Sequence, residues 1–175
     1  MPSALATLVI RLTRRTDGSI VLDLRRPDGT ITWQRRTGPT AEFFAVHDLT
    51  HYAVETVLGY HSAFYGLVAA GWELDDFGTP WPRGPLPADA LPAELIVGMF
   101  DTERASGVRL AADAFNDSAA SWFSNEGAPS RVRISDGQLA EMRETLASLV
   151  GRWTSLLPGE TMELRFPTLA HHERI

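Results

Sequence analysis

Two histidines, His47 and His51, lie four residues apart in the run Phe-Phe-Ala-Val-His-Asp-Leu-Thr-His-Tyr-Ala-Val-Glu, residues 43–55. On a helix this spacing stacks two side chains on one face, one turn apart, so both rings can converge on a single cation. Asp48, beside the first histidine, supplies a carboxylate that could take a proton from a metal-bound water. Glu55 is eight residues from His47, about 12 Å along a helix axis, and is a poor third ligand for the same ion. It is one turn from His51 and can accept a hydrogen bond from that ring, orienting it from behind the metal.

A third ligand has to come from another segment. Glu94, Asp101 and Glu103 are the candidates, and Glu103 shares the apolar side of its segment with Ile96, Met99 and Phe100. His61 is displaced by about 21 Å if the helix continued, too far to share the ion of His47. The chemistry expected is binding of a divalent metal, zinc or manganese, and most simply metal-dependent hydrolysis. The competing reading gives the same quartet no metal. His47 and His51 would then hydrogen-bond Glu55, Asp48 or backbone carbonyls in a buried polar network. The chain would in that case be a non-catalytic binding or interaction protein.

The stretch His-Asp-Leu-Thr-His-Tyr-Ala-Val-Glu resembles a signature of uncharacterised bacterial proteins. The shorter His47-Asp48-x-x-His51 is similar to the zinc-associated motif of the ubiquinone-biosynthesis scaffold family. That family's motif continues with a glutamate twelve residues after the second histidine, where this chain has Ala63. Helical zinc peptidases carry His-Glu-x-x-His, and Asp48 stands here in place of their catalytic glutamate. What these resemblances imply is a helical, zinc-type site centred on His47 and His51.

The elements that must position these residues follow from periodicity. Residues 5–36 alternate with period two around Asp17-Gly18 and Asp28-Gly29, the pattern of a three-stranded antiparallel meander. Leu8, Ile10, Leu12, Ile20, Leu22, Leu24, Ile31 and Trp33 are expected on its dry face. Gly38-Pro39-Thr40 ends the sheet, and Thr40 is the expected N-cap of a helix running to Leu58, with Gly59 as its stop. Ser62 is the expected cap of a second helix, 63–70. Helical spacing resumes at 93–106, at 108–124, and at 136–156, where Ser135 and Gln138 form a capping-box pattern. Met162, Leu164 and Phe166 alternate with polar residues and add a fourth strand, 161–166.

The expected architecture is therefore α+β: a four-stranded antiparallel sheet packed on one face by about five helices. The 175 residues suit a single domain, 1–175, with a helical part at 40–156 and a proline-rich crossing at 79–92 anchored by Trp81 and Leu86. With no cysteine, no long apolar run and no basic leader, the expected location is cytoplasmic. All 16 basic residues are arginine, which excludes a lysine Schiff base and a P-loop. The net charge of -6 disfavours nucleic acid, although residues 1–36 carry seven arginines against three aspartates. The arginine pairs at 14–15, 25–26 and 35–36 read first as a solvated face paired with Asp23 and Glu163. A small-molecule substrate or a protein partner remains, with no membrane and with homo-oligomerisation left open. His171-His172-Glu173 reads as a loose tail.

Overall fold

In the computed structural model, residues 6–77, 83–84, 87–125 and 132–168 are described. Four strands, β1 (Thr7–Arg14), β2 (Ile20–Arg25), β3 (Ile31–Arg36) and β4 (Thr161–Pro167), form one antiparallel sheet in the order β3-β2-β1-β4. Among the described residues five α-helices accompany it, α1 (Ala41–Leu58), α2 (Phe64–Ala69), α3 (Ala90–Ser106), α4 (Ala112–Asn125) and α5 (Asp136–Thr154), with a 3-10 turn at Leu74–Phe77. This is the expected α+β architecture, with the C-terminal strand paired to β1.

The sheet buries one face. Leu8, Ile10, Leu12, Leu22 and Leu24 are at most 1% exposed and pack with Leu49 of α1, Val68 of α2 and Trp153 of α5. A second cluster gathers Val54 of α1, Ile96, Val97 and Phe100 of α3, Phe115 of α4 and Met142 of α5. Helices α1 and α5 thus contribute to both clusters, and Leu146 of α5 touches each.

The dry face of β3 differs from expectation. Ile31 is 42% and Trp33 63% exposed, whereas Thr32 is buried. The cause is the β2–β3 turn. A two-residue Asp28-Gly29 turn would set Trp33 opposite Leu24. Instead Arg26 and Thr30 close the loop, with Gly29 at φ 88, and Leu24 faces Thr32 while Asp23 faces Trp33. One residue of register turns every side chain of a strand over. The inward face of β3 therefore offers Thr32, Gln34 and Arg36 to the helices. On the wet face Arg11 lies 3.8 Å from Glu163, a cross-strand pair.

Helix α1 ends where Gly59 takes a left-handed conformation (φ 67) and its N–H bonds Glu55 O. Thr40 makes no side-chain cap, and neither does Ser62, because Ala63 holds the cap position of α2. Helix α3 begins at Ala90, earlier than expected. Pro92 fits its first turn, where the missing N–H would have no helical partner anyway. Helix α4 begins at Ala112, later than expected, and Val108 is 60% exposed. Gly107 stops α3 at φ 71, and Leu110 is held outside a helix: its N–H donates to Glu103 and its carbonyl accepts from Arg143. The capping box of Ser135 and Gln138 is present at the start of α5. Trp81, Leu86 and the His171-His172-Glu173 tail lie outside the described residues.

Candidate metal centre

The site is built between α1 and α3. The pairings show that the two helices run past one another in opposite directions: the earlier residue of α1 meets the later residue of α3. His47 Nδ1 lies 2.7 Å from Asp101 Oδ2, and His51 Nε2 lies 3.4 Å from Glu94 Oε1. Glu94 and Asp101 are seven residues apart, two turns along one face of α3, and so bracket the two histidines, which are one turn apart.

His47, His51 and Glu94 form a group that could hold a metal ion, each offering one ligand atom, with those atoms all within 4.8 Å of one another. The ring nitrogens divide the work. Nδ1 of His47 faces Asp101, and Nδ1 of His51 lies 3.0 Å from Glu55 Oε1. A carboxylate behind a ring nitrogen fixes the tautomer and orientation of a ligating histidine. Glu55 is itself fully buried and fixed, because its second oxygen accepts the N–H of Tyr65 at 3.0 Å. The Tyr65 hydroxyl in turn donates to the carbonyl of Asp48 at 2.8 Å, tying α2 to α1.

Burial works against charge on His51, but hydrogen bonds to Glu55 and Glu94 outweigh it and push its pKa up to about 10. Burial pushes Glu55 up, opposed by His51 and the Tyr65 N–H. For Glu94 burial also pushes upward, yet His51 prevails and holds it below the usual carboxylate value. A cation is thus favoured among these three residues. A proton on His51 can fill that role, and so can a metal ion that displaces it.

Asp48, read from the sequence as the base, points elsewhere. Its Oδ2 accepts from Arg36 Nη1 at 2.6 Å, and it is 2% exposed. Burial pushes its pKa up, against the pull of Arg36 and the two histidines. Asp48 is not among the converging groups, because the inward register of β3 delivers Arg36 to it. Glu103, the third ligand candidate on α3, is also committed. Its carboxylate pairs with the guanidinium of Arg143 and accepts the N–H of Leu110 at 2.6 Å. Asp101 sits at the back of His47, in orienting position. His61 is separate: its ring packs 6.2 Å from Phe166 and lines a different cleft, with Gly66 and Thr168.

Helical spacing puts Phe44 on the stripe of His47 and His51 and Phe43 at its border, while Phe64, from another helix, is not foreseen from the sequence. Phe64 of α2 lies 5.1 Å from the His51 ring and Phe43 stacks at 5.9 Å on His47. Phe43 and Phe44, one turn before His47, are 45% and 39% exposed, so the N-terminal side of the site has an open aromatic rim. Their spacing of three and four from His47 was the available signal.

Comparison with protein-family models, with curated proteins and with solved structures finds no match to this chain.

Proposed function

We propose that this protein binds a divalent metal, zinc or manganese, through His47, His51 and Glu94, and uses it in hydrolysis. The observation that carries the reading is the pairing of each ligating ring with a carboxylate behind it, Asp101 for His47 and Glu55 for His51, with Glu94 closing the triad. Two imidazoles and a carboxylate are a donor set suited to zinc, and three protein ligands leave a coordination position for water. The side chain of Glu94 is 50% exposed, so the group is reachable from solvent on its α3 side. A bound metal would supply Lewis acidity and a water of lowered pKa. Asp48, held by Arg36, is not placed to accept that water's proton.

One observation favours a second reading. His51 already has carboxylates at both nitrogens, so an imidazolium alone satisfies the buried charges without metal. Elemental analysis of protein purified without chelator separates the two. One equivalent of zinc or manganese per chain, with activity on a panel of ester, amide and phosphoester substrates that is lost on chelation and restored by the metal, supports the enzyme. Absence of metal, together with no change in melting temperature on adding Zn²⁺ or Mn²⁺, leaves the polar network.

A further inference from the structure

On the α5 side of α1 lies a cleft of about 320 Å³ that contains none of the residues of the candidate metal centre. That volume is at the low end of ligand pockets, which run from ~300 to ~1,000 Å³. Its floor is apolar: Val46 of α1, Phe100 of α3, and Leu146 and Val150 of α5. Its rim is cationic, with Arg104, Arg109 and Arg143 against a single carboxylate, Glu103.

The three guanidiniums are not equivalent. Arg143 is spent on Glu103 and on the carbonyl of Leu110, so it braces the wall and neutralises the one acid there. Arg109 is exposed and has no partner among the described residues. Arg104 lies 3.0 Å from Asp101 Oδ1, yet that oxygen lacks a hydrogen-bond partner. Arg104 is therefore tethered by its ion pair with Asp101 and by the Phe43 ring 5.1 Å beneath it. The unpaired guanidinium of Arg109 beside Arg104, above an aliphatic floor, complements a molecule with an anionic head and a short hydrocarbon tail. Arginine forks bind carboxylates in bidentate fashion, and the floor accepts the chain.

We propose that this cleft is a binding site for a small aliphatic carboxylate, with its head on Arg104 and Arg109 and its tail along Val46, Leu146 and Val150. The site does not rest on the metal reading, because Arg104 meets that centre through Asp101 and Phe43 and touches none of its three ligand residues.

The test is an NMR titration of methyl-labelled protein with hexanoate in the presence of EDTA, so that metal ligation by the probe is excluded, with hexylamine as the control of opposite charge. The expected result is saturable shifts of the Val46, Leu146 and Val150 methyls with hexanoate and far weaker ones with hexylamine. Arg109→Ala removes an exposed side chain without a protein partner and should weaken hexanoate binding about tenfold, the scale of one charge-assisted hydrogen bond. Arg109→Lys should recover part of that loss, and His51→Ala should leave the titration unchanged. The proposal is overturned if those methyls do not move, if hexylamine moves them equally, if the shifts centre on His47 and His51 instead, or if Arg109→Ala binds as the parent does.

Discussion

Helix α1 carries buried charge on two sides, and the two sides meet it differently. Toward the sheet, Asp48 is paired with Arg36, and a guanidinium is a fixed positive charge. Toward α3, Glu55 and Glu94 are met by the imidazole of His51, a side chain whose proton is exchangeable, while Asp101 is shared between the His47 ring and Arg104. The first pair is a fixed structural tie. The second set can trade a proton for a metal ion. The same contrast recurs along α3, where Glu103 is locked by Arg143 while Glu94 faces His51. Which carboxylates can serve chemistry is thus decided by the partner's ability to release a proton.

The largest effect is expected from breaking the fixed side. Arg36→Ala leaves Asp48 buried without its cation and should cost about 3–5 kcal/mol in a urea denaturation, the usual scale for an orphaned buried charge. Metal uptake by the folded fraction should survive. Equal loss of metal and of stability would erase the distinction between the two sides.

On the exchangeable side, His51→Ala should abolish the zinc-induced rise in melting temperature. Its carboxylate partner Glu55 can take up a proton once the ring is gone, so the fold should persist by circular dichroism. A variant that still binds one zinc per chain would refute the assignment of His51. Smaller effects follow for the orienting carboxylates. Glu55→Gln and Asp101→Asn should each weaken metal binding by roughly 10–100-fold in a competition titration with a chromophoric chelator. No weakening in either would mean that the rings are positioned by packing alone.

The gentlest probe is pH. Without metal, His51 is pushed from its usual 6.5 up to about 10, so its protonation favours the folded chain. That contribution is complete below the unfolded value of about 6.5 and fades as pH rises through about 10. The raised pKa of Glu55 acts in the same direction at lower pH. Chelator-stripped protein should therefore lose melting temperature between about pH 6.5 and 9 from this source, while the increment gained from zinc should grow, because metal and proton compete for the ring. A metal increment independent of pH would place the ion elsewhere.

Much of this was written in local pattern. Period two gave the strands, the His47–His51 spacing gave a shared face, and the four-residue step to Glu55 gave its contact with His51. What could not be read depended on pairing across distance. The face of β3 hung on whether the turn at Asp28-Gly29 used two residues or three, and hence so did the delivery of Arg36 to Asp48. Among Glu94, Asp101 and Glu103, residue type alone could not choose. The choice came from the antiparallel crossing of α1 and α3, and from Arg143 arriving out of α5 to claim Glu103.

The sheet order has a consequence for how the chain acquires its shape. The partner of β1 on one side is β4, so residues 7–13 wait for residues 161–167 before their backbone groups are satisfied. Pairings so far apart in sequence carry a large closure entropy and form late. During synthesis the meander of β1, β2 and β3 emerges before the helices and β4, with Leu8, Ile10 and Leu12 uncovered and one edge of β1 open. Such an edge is a template for pairing with another chain. A nascent chain stalled before residue 161 should therefore be prone to self-association and to chaperone capture, and release from that state should coincide with the docking of β4.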